Sequence, residues 1–495
     1  MKKPLLAILM IACFTPALFG QAFSSLAGTV TDPTGAVIPG VAITIVNTQT
    51  GLQRETTSNA EGRYSFPQVL PGAYQLTAKS PGFADVVIKD IQLLVNSPVT
   101  LNVVFEKLGG VTETVQVEAT AIQINTTDAT LGNAVGTQTI LELPFYARNV
   151  VNLLMLQPGV TQDGQVAGGK SDQANVTLDG VDVNDQVNRS AFTSVLRVTL
   201  DSVQEFRTTT TNANADQGRG SGAEVSMVTK SGTNEFHGSL YEYNRNDKFA
   251  ANNFFSNRSG VERPALKINV FGGSIGGPIV KNKAFFFVNF EGRRDASASV
   301  QTRTVPTDNM RQGVVTYHDK TGALRTIGPD DIKTYADPAG IGVNPAVLKV
   351  FNEYPRGNMP GTGDGMNTIS FRFNAPRHDK QDTYIARFDY TIDGAAKHQL
   401  FLRGNLQNDH AGGVPQFPGQ PPRSETLANN KGIAAGYTWI ARPNMVNTFR
   451  YGLTRQGGRE HRPAERALHQ LPRLRHDLRD HHGDQAVRPG AQLQR

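Results

Sequence analysis

Three stretches of the chain combine residue types and spacings that are associated with ligand binding or catalysis. The first, residues 164–171, reads GQVAGGKS and satisfies the pattern of a phosphate-binding loop. Such a loop holds phosphate only where it leaves a buried strand and opens a helix. Here Pro158 and Gly159 precede it, and residues 172–180 (DQANVTLDG) read as a strand. We therefore interpret it as a flexible glycine-rich loop.

The second stretch, residues 272–276 (GGSIG), matches the nucleophile elbow of esterases, with Ser274 as the nucleophile. The elbow requires a strand-to-helix turn, whereas Ser274 lies within a continuing alternation that predicts the middle of a strand. The sequence therefore does not indicate an esterase.

The third stretch carries four oxygen ligands that could hold calcium, but their order does not fit the EF-hand loop. A hydrogen-bonded turn is the commoner outcome for such residues, and we favour it. We predict no catalytic residue, cofactor site or metal site, and do not expect an enzyme. The four residues are Asp179, Asp182, Asn184 and Asp185.

The charge pattern excludes an obvious nucleic-acid-binding protein. The 49 basic and 43 acidic side chains give a formal net charge of +6, and the basic residues cluster only in the last forty positions. No apolar run of about eighteen residues follows the N-terminus, which excludes a helical membrane span.

The first 22 residues have the layout of a secretory signal. Two lysines precede an apolar stretch from Leu5, and small residues at Gly20 and Ala22 predict cleavage after Ala22. The only cysteine, Cys13, lies inside this segment; lipidation there is disfavoured because apolar sequence continues past it. We expect an exported protein without disulfide bonds.

Residues 23–106 predict a β-sandwich. Turn signals such as Asp32-Pro33-Thr34-Gly35 and Pro71-Gly72 recur at even intervals between short alternating runs. The phrases GTVTDPTGAVIPGVAITIVNTQTG and EGRYSFPQVLPGAYQLTAKSPGF resemble the carboxypeptidase regulatory-like domain. A zinc peptidase is not indicated, because only His237 precedes residue 300 and no glutamate has the required spacing. A spacer or docking module is the expected role.

Residues 107–232 predict a small α+β domain. ARNVVNLLMLQ places Val150, Leu153, Leu154 and Gln157 at helical spacing before Pro158 and Gly159. Short strands are expected in NVTLDGVDVND and GAEVSMVTKSG.

Residues 233–457 predict long strands with one apolar face and one small or polar face, which is typical of a transmembrane β-barrel wall. The predicted turns at 280–283, 394–398 and 442–445 are short, whereas the connections near 248–266, 294–382 and 410–430 are long, as expected for the two rims of a barrel. The predicted apolar sets are Phe271, Ile275 and Ile279; Phe286, Val288 and Phe290; Tyr384, Ala386, Phe388, Tyr390 and Ile392; and Ile433, Ala435, Tyr437 and Trp439. Opposite them stand Gly272, Ser274 and Gly276; Asn289, Glu291 and Arg293; Arg387, Asp389, Thr391 and Asp393; and Ala434, Gly436 and Thr438.

Long phrases of the chain resemble TonB-dependent outer-membrane receptors, and in particular the Oar-like branch that carries a regulatory-like domain. These phrases include RNVVNLLMLQPGV, ANVTLDGVDVND and FGGSIGGPIVKNKAFFFVNFEGRR. The resemblance implies a plug at 107–232, a lipid-embedded barrel from 233, and TonB-powered uptake of an extracellular substrate that the sequence does not identify. The alternative is a surface adhesion or structural protein without transport.

One segment is similar to the TonB box of that family: Glu113, Thr114, Val115, Gln116 and Val117. An extended segment of this kind can pair edge to edge with a strand of TonB. It could equally be the first strand of the plug.

The last segment, residues 458–495, differs from the rest in composition. It holds half of the histidines of the chain and lacks lysine, aromatic residues and strand alternation. A basic tail or a histidine metal cluster is conceivable, but a frameshift is the preferred interpretation. We count seven wall strands ending near Gln456, against about 22 in plugged transporters, and so expect a truncated receptor.

Overall fold

The computed structural model describes residues 23–106, 114–118, 129–142, 148, 150–161, 165–166, 168–187, 193–214, 222–258, 260–393 and 396–461. The predicted signal segment, Glu113 and most of the predicted anomalous tail lie outside the described residues. The fold is mostly β, with 54% of residues in strands and 11% in helices, as predicted. No described helix has the length and apolar character needed to cross a membrane. The described residues divide into two compact units: the first lies within Met1–Ser299, Arg377–Ala411 and Thr426–Arg459, and the second lies within Val300–Pro376, Gly412–Glu425 and Glu460–Arg495.

The first part of unit 1 is a sandwich-like pair of sheets, as the turn spacing predicted. One sheet has the order β4-β1-β7, with β8 also pairing with β1, and the other has the order β3-β2-β5-β6-β9. Alternate residues of the facing strands, such as Leu26, Ile43 and Leu76, are fully buried between the sheets. The strands are β1 (Ser24–Thr31), β2 (Ala42–Asn47), β3 (Gln53–Thr57), β4 (Arg63–Val69), β5 (Gly72–Lys79), β6 (Asp85–Leu93), β7 (Val99–Thr100), β8 (Val103–Val104) and β9 (Thr114–Glu118).

A central domain follows, with a five-stranded sheet of order β10-β13-β14-β11-β12. Its core contains Ile140, Val150, Leu153 and Phe206, all buried. The predicted helix around Val150 is a 3₁₀ segment, Val150–Leu156, and Pro158-Gly159 follow it as expected. The other elements are β10 (Leu131–Gly136), α1 (Thr137–Glu142), β11 (Asn175–Leu178), β12 (Val181–Asp182), β13 (Val203–Thr211), β14 (Glu224–Thr229) and 3₁₀ segments at Ser171–Gln173 and Leu200–Ser202.

A nine-stranded antiparallel sheet, here called the strand wall, forms the rest of unit 1 and extends into the residue ranges of unit 2. Its order is β15-β16-β17-β20-β21-β22-β25, and β23 pairs with β21 and β24. The strands are β15 (His237–Asn246), β16 (Leu266–Val280), β17 (Ala284–Pro306) and, after the separate hairpin of β18 (Val315–His318) and β19 (Leu324–Ile327), β20 (Thr368–Thr391), β21 (His398–Gly412), β22 (Glu425–Ala428), β23 (Lys431–Arg442), β24 (Met445–Arg455) and β25 (Gly458–His461).

The predicted alternation of the wall is present. Val288 is 44% exposed, whereas its neighbour Asn289 is 1% exposed. Ile275, Ile433 and Trp439 are likewise exposed on the apolar face, and the predicted polar positions Glu291, Arg387, Ala434 and Thr438 are buried. The seven long strands of the prediction are β15, β16, β17, β20, β21, β23 and β24, and the short β22 and β25 are additional.

One predicted boundary is wrong. The long connection expected at 294–382 is shorter, because β17 continues to Pro306 and β20 begins at Thr368. The added residues of β17 are mostly small or polar, and those of β20 are mostly polar apart from Ile369, Phe371 and Phe373, so the apolar alternation is shorter here than in the rest of the wall. The short turns between β16 and β17 and between β23 and β24 agree with the prediction.

Between β15 and β16 lie a 3₁₀ segment (Asp247–Phe249) and α2 (Phe254–Arg258). Unit 2 contains the β18–β19 hairpin, α3 (Asp308–Arg311), α4 (Pro329–Asp331), a π segment (Ile332–Ala336) and α5 (Pro345–Glu353). The buried Arg311 guanidinium donates to the carbonyl oxygens of Phe351, Tyr354 and Pro355 at 2.6–3.0 Å, which fixes α3 against the end of α5.

Candidate functional site at the polar face of the strand wall

Glycines of the wall leave space for side chains of the central domain. A Cβ atom built on Gly432 would overlap Leu196 Cδ1, and one built on Gly452 would overlap Val181 Cγ1. Leu196 and Val181 belong to the central domain and are buried. The small residues of the wall therefore allow the central domain to approach the backbone of β23 and β24 closely.

We predict that Gly452→Ala destabilises unit 1 by about 1–3 kcal/mol, because Val181 must move as a whole to admit the added methyl group. The same substitution at Gly404, where a Cβ would meet no atom within 4 Å, is the matched control. Thermal melting of both variants measures the effect. Equal melting temperatures would show that the glycines do not set this contact.

Asp179 connects the central domain to three strands of the wall. It occupies a two-residue hairpin turn with Gly180, and both residues have positive φ angles (52° and 76°), as a type I′ turn requires. Its carboxylate accepts from Arg387 at 3.1 Å and from Arg403 at 3.0 Å, and its carbonyl accepts from Arg450 at 2.9 Å. These arginines come from β20, β21 and β24.

The environment of Asp179 keeps this carboxylate ionised. Burial by itself raises the pKa of the Asp179 carboxyl, but the Arg387 and Arg403 guanidinium groups and the Thr229 hydrogen bonds lower it further than burial raises it, so the net pKa is lowered. Thr229 donates from its backbone N–H and its hydroxyl, at 2.9 and 2.7 Å. Asp179 is thus an anion with a complete set of buried donors.

A second ionic contact joins Arg148 to both Asp201 and the wall. Arg148 Nη2 lies 2.6 Å from Asp201 Oδ2, and its Nε lies 3.2 Å from Glu291 Oε2. The Tyr241 hydroxyl donates to the same Glu291 oxygen at 2.9 Å. The guanidinium also stacks on the rings of Tyr241 and Tyr243, with its carbon 4.7 and 4.3 Å from the ring centroids.

A third contact uses Arg197 of the central domain, which pairs through both terminal nitrogens with Asp409 at 3.0 and 2.6 Å. Its backbone N–H donates to Gln407 at 2.9 Å. This pair is only partly buried, and removing one partner would still leave the other charge without its partner beside the central domain. The three contacts therefore hold the central domain on the polar face of the wall.

The sandwich is joined to the central domain by two buried hydrogen bonds. The Val95 N–H donates to Glu205 at 2.5 Å, and the Asn96 amide donates to the Ser226 hydroxyl at 2.7 Å. Burial raises the pKa of Glu205 to about 8, and the Val95 hydrogen bond only partly offsets this.

We predict that Glu205 makes this joint weaker at alkaline pH. The folded-state pKa is raised above the unfolded value, so the folded state holds a proton that the unfolded state releases, and stability falls as pH rises from about 4.3 toward the folded pKa. Glu205→Gln should therefore raise the melting temperature relative to wild type more at pH 9 than at pH 5. A difference that does not change with pH would refute the assignment.

A cavity of about 520 Å³ lies among the sandwich, the central domain and the short-turn ends of the wall strands. Its lining is mixed in character. It includes Tyr74 from the sandwich, Lys230 after β14, and Phe285, Arg387 and Phe401 from the wall. The cavity lies beside the Asp179 contact, since Asp179, Arg387 and Arg450 line both.

The predicted TonB-pairing segment lies on the sandwich. Residues Thr114–Glu118, which include Thr114, Val115, Gln116 and Val117, form β9, and β9 pairs in parallel with β6. Glu113 lies outside the described residues. In the described part of the chain, β9 is not among the strands of the central sheet.

The three stretches that suggested chemistry have other local structures. In the glycine-rich loop, Lys170 precedes a three-residue 3₁₀ segment that begins at Ser171 and is followed by β11; part of the loop lies outside the described residues. Ser274 lies in the middle of β16. Among the four oxygen ligands, Asp179 binds arginines and Asp182 accepts from the Asn184 N–H in a local turn. No group of three or more potential metal ligands occurs among the described residues.

The sequence did not reveal the ionic contacts. Arg387 and Glu291 were predicted to face inward, but their partners Asp179 and Arg148 are 208 and 143 residues away in the chain. The one available signal was the presence of charged residues on a predicted inward face, which indicates partners without identifying them.

Comparison with known proteins gives two family matches. Residues 228–474 match the outer membrane beta barrel domain, and residues 25–106 match the carboxypeptidase regulatory-like domain. These ranges agree with the strand wall and the sandwich. The barrel match continues beyond Gly458, as does β25.

The TonB-dependent transporter Oar of Myxococcus xanthus is 29% identical over 296 residues, which are 55% of this chain and 27% of that protein. The chain thus spans about a quarter of the length of the curated relative it matches. The chain is therefore similar to the TonB-dependent transporter Oar and carries matches to an outer membrane beta barrel domain and a carboxypeptidase regulatory-like domain. The barrel-domain match supports an outer-membrane location.

Among solved structures, the outer membrane transporter YddB from Escherichia coli aligns with a TM-score of 0.41 at 13% identity, over 66% of this chain and 39% of that chain. A mutant catechol 1,2-dioxygenase from Acinetobacter radioresistens aligns with a TM-score of 0.15 at 14% identity, over 20% of this chain and 56% of that chain. The dioxygenase alignment assigns no activity to this chain.

Proposed function

We propose that this chain is part of a TonB-dependent transporter that takes up an extracellular substrate across the outer membrane. The observation that supports this most strongly is the two-faced wall. Its apolar face is exposed, and its polar face is occupied by the central domain through buried ion pairs. A soluble sheet would bury its apolar face instead.

In this proposal residues 107–232 are the plug, and the strand wall is part of the barrel around it. The exposed apolar side chains contact lipid, an environment in which charged side chains at the same positions would destabilise the barrel. The buried ion pairs keep the plug seated until TonB, powered from the inner membrane, pulls on it. We also propose export through residues 1–22, which intact-mass measurement of the outer-membrane protein tests: retention of Met1 would exclude cleavage after Ala22.

The coupling site in this proposal is the segment Glu113 to Val117. Its residues Thr114 to Val117 are extended in β9, which is the conformation that strand pairing with TonB requires. The chain contains one cysteine, Cys13, so single cysteines can be introduced in a Cys13→Ala background.

The test is disulfide crosslinking in cells between TonB and cysteines placed singly at Val115, Gln116 and Val117, with Gln53→Cys as the control outside the segment. We expect crosslinks only within the segment. Val115→Pro should abolish crosslinking at Val117→Cys, because proline removes a ladder donor and fixes φ. A chain that reaches the outer membrane without any crosslink would favour the adhesion or structural role.

A further inference from the structure

The strand that carries the TonB-pairing segment is the terminal strand of the sandwich sheet. The order β3-β2-β5-β6-β9 makes β6 the only neighbour of β9 among the described strands. The pairing is in register and parallel, with Val86 opposite Val115, Val87 opposite Gln116 and Ile88 opposite Val117. Four of the five predicted TonB-pairing residues, Thr114 to Val117, therefore also belong to a strand of the sandwich sheet.

We propose that the sandwich domain holds this segment on β6 and so controls coupling to TonB, because TonB can pull on the central domain only after β9 leaves β6. This inference rests on the proposed function. It assigns a role to the regulatory-like domain, namely an internal competitor for the TonB-pairing strand.

The chain order explains why β9 must separate. Along the chain, the segment lies between β8, which ends at Val104, and the central domain, whose first described strand begins at Leu131. A pull on β9 is transmitted first to the β6–β9 ladder and the sandwich, since that ladder precedes the central domain along the force path. The ladder has to open before force reaches β10.

The β6–β9 pairing is weak enough for β9 to leave β6 and pair with TonB instead. Parallel pairing is slightly weaker per residue than antiparallel pairing, and this ladder has only five residue pairs. Against this, the short tether from β8 to β9 gives the internal strand an effective concentration of about millimolar order. The apparent affinity for TonB is then its intrinsic affinity multiplied by the fraction of chains in which β9 has left β6.

The sandwich is itself anchored, which makes it an effective holder. Val95 and Asn96, which follow β6, bond to Glu205 and Ser226 of the central domain. Gln68 accepts from the Thr448 hydroxyl at 2.6 Å, and this bond ties β4 to β24. The sandwich is therefore held in place by these bonds, and β9 is the part that can separate.

The test uses the purified chain with Val87→Cys and Gln116→Cys in a Cys13→Ala background. In-register neighbours lie within the Cα separation of about 4.4–6.8 Å that a disulfide requires. The control pair is Gln53→Cys with Gln116→Cys, because β3 and β9 are at opposite edges of the sheet, roughly 19 Å or four strand spacings apart. The readout is binding of a purified periplasmic TonB domain to each variant, oxidised and then reduced.

We expect rapid crosslinking of the 87–116 pair and none of the 53–116 pair. The oxidised 87–116 chain should bind the TonB domain at least about tenfold more weakly than the same chain after reduction. Absence of the 87–116 crosslink, or equal TonB binding before and after reduction, would overturn the inference. If the crosslink forms but the reduced chain does not bind TonB, the proposed function fails and the regulatory role with it, while the β6–β9 pairing stands.

Discussion

Replacing Asp179 by asparagine is expected to release the central domain from the wall, with a loss of about 3–5 kcal/mol in the free energy of unfolding. Asparagine keeps the shape of the turn but removes the charge that Arg387 and Arg403 share. Arg387 retains Asp389 at 2.9 Å, whereas Arg403 retains only neutral partners, such as Asn405, among its contacts in the described part of the chain. A buried guanidinium without a carboxylate accounts for most of the loss. Urea unfolding and limited proteolysis of the central domain measure it.

The matched control is Asp182→Asn, which changes the same kind of residue at an exposed position three residues later. It should unfold within about 0.5 kcal/mol of wild type, as surface substitutions usually do. If Asp179→Asn behaves like Asp182→Asn, the arginines are held by something other than this carboxylate, and the account of the interface is wrong.

The pH dependence of this contact has a defined direction. The Asp179 pKa is lowered in the folded state, so its contribution is complete above the unfolded value of about 3.9 and is lost as pH falls through the folded pKa. The contact should therefore remain intact from neutral pH down to about pH 4 and weaken only in stronger acid. Glu205 acts in the opposite sense, because its pKa is raised.

Replacing Leu402 by arginine is expected to be the second most damaging change. Leu402 is half exposed on the apolar face of β21, opposite Phe388 and Ala435 in the neighbouring strands. An arginine on the lipid face near mid-depth costs about 2–4 kcal/mol. The amount of protein recovered in urea-washed outer membranes should fall for Leu402→Arg relative to wild type.

Leu402→Phe serves as the control, because it keeps an apolar side chain at the same position and should leave membrane recovery near the wild-type level. In a soluble sheet, an exposed Leu→Arg change would be tolerated at this site. Equal recovery of the arginine and phenylalanine variants would thus argue against contact with lipid.

The architecture follows from local regularities in the sequence, and the interfaces do not. Period-two alternation predicted the two faces of β16, β17, β20 and β23, because successive side chains of a strand point to opposite faces and their polarity shows which face is apolar. The ends of β17 and β20 farthest from the short turns were missed, because the added part of β17 is mostly small or polar and the added part of β20 has only the short apolar alternation of Ile369, Phe371 and Phe373. Asp179 looked like any turn aspartate next to glycine.

The long-range partners were beyond such reasoning. The pairing of Asp179 with Arg387 and Arg403 depends on how two domains dock, and no local pattern encodes that distance. Likewise, the sequence of Thr114–Glu118 predicted a strand. That strand pairs with β6 and so belongs to the sandwich sheet, whereas the sandwich had been predicted to end at residue 106. The edge of β6 carried no sequence signal of an additional strand.

Contact between lipid and the apolar face of the wall can be tested with the single tryptophan of the chain. Trp439 lies on the exposed apolar face of β23, near the short-turn end, where aromatic residues of barrels meet the membrane interface. The measurement is Trp439 fluorescence of the protein in vesicles of lipids brominated at shallow or deep chain positions, with iodide as the aqueous quencher. If the apolar face contacts lipid, shallow bromines should quench Trp439 strongly, deep bromines more weakly and iodide only a little. Efficient iodide quenching with no effect of either brominated lipid would contradict it.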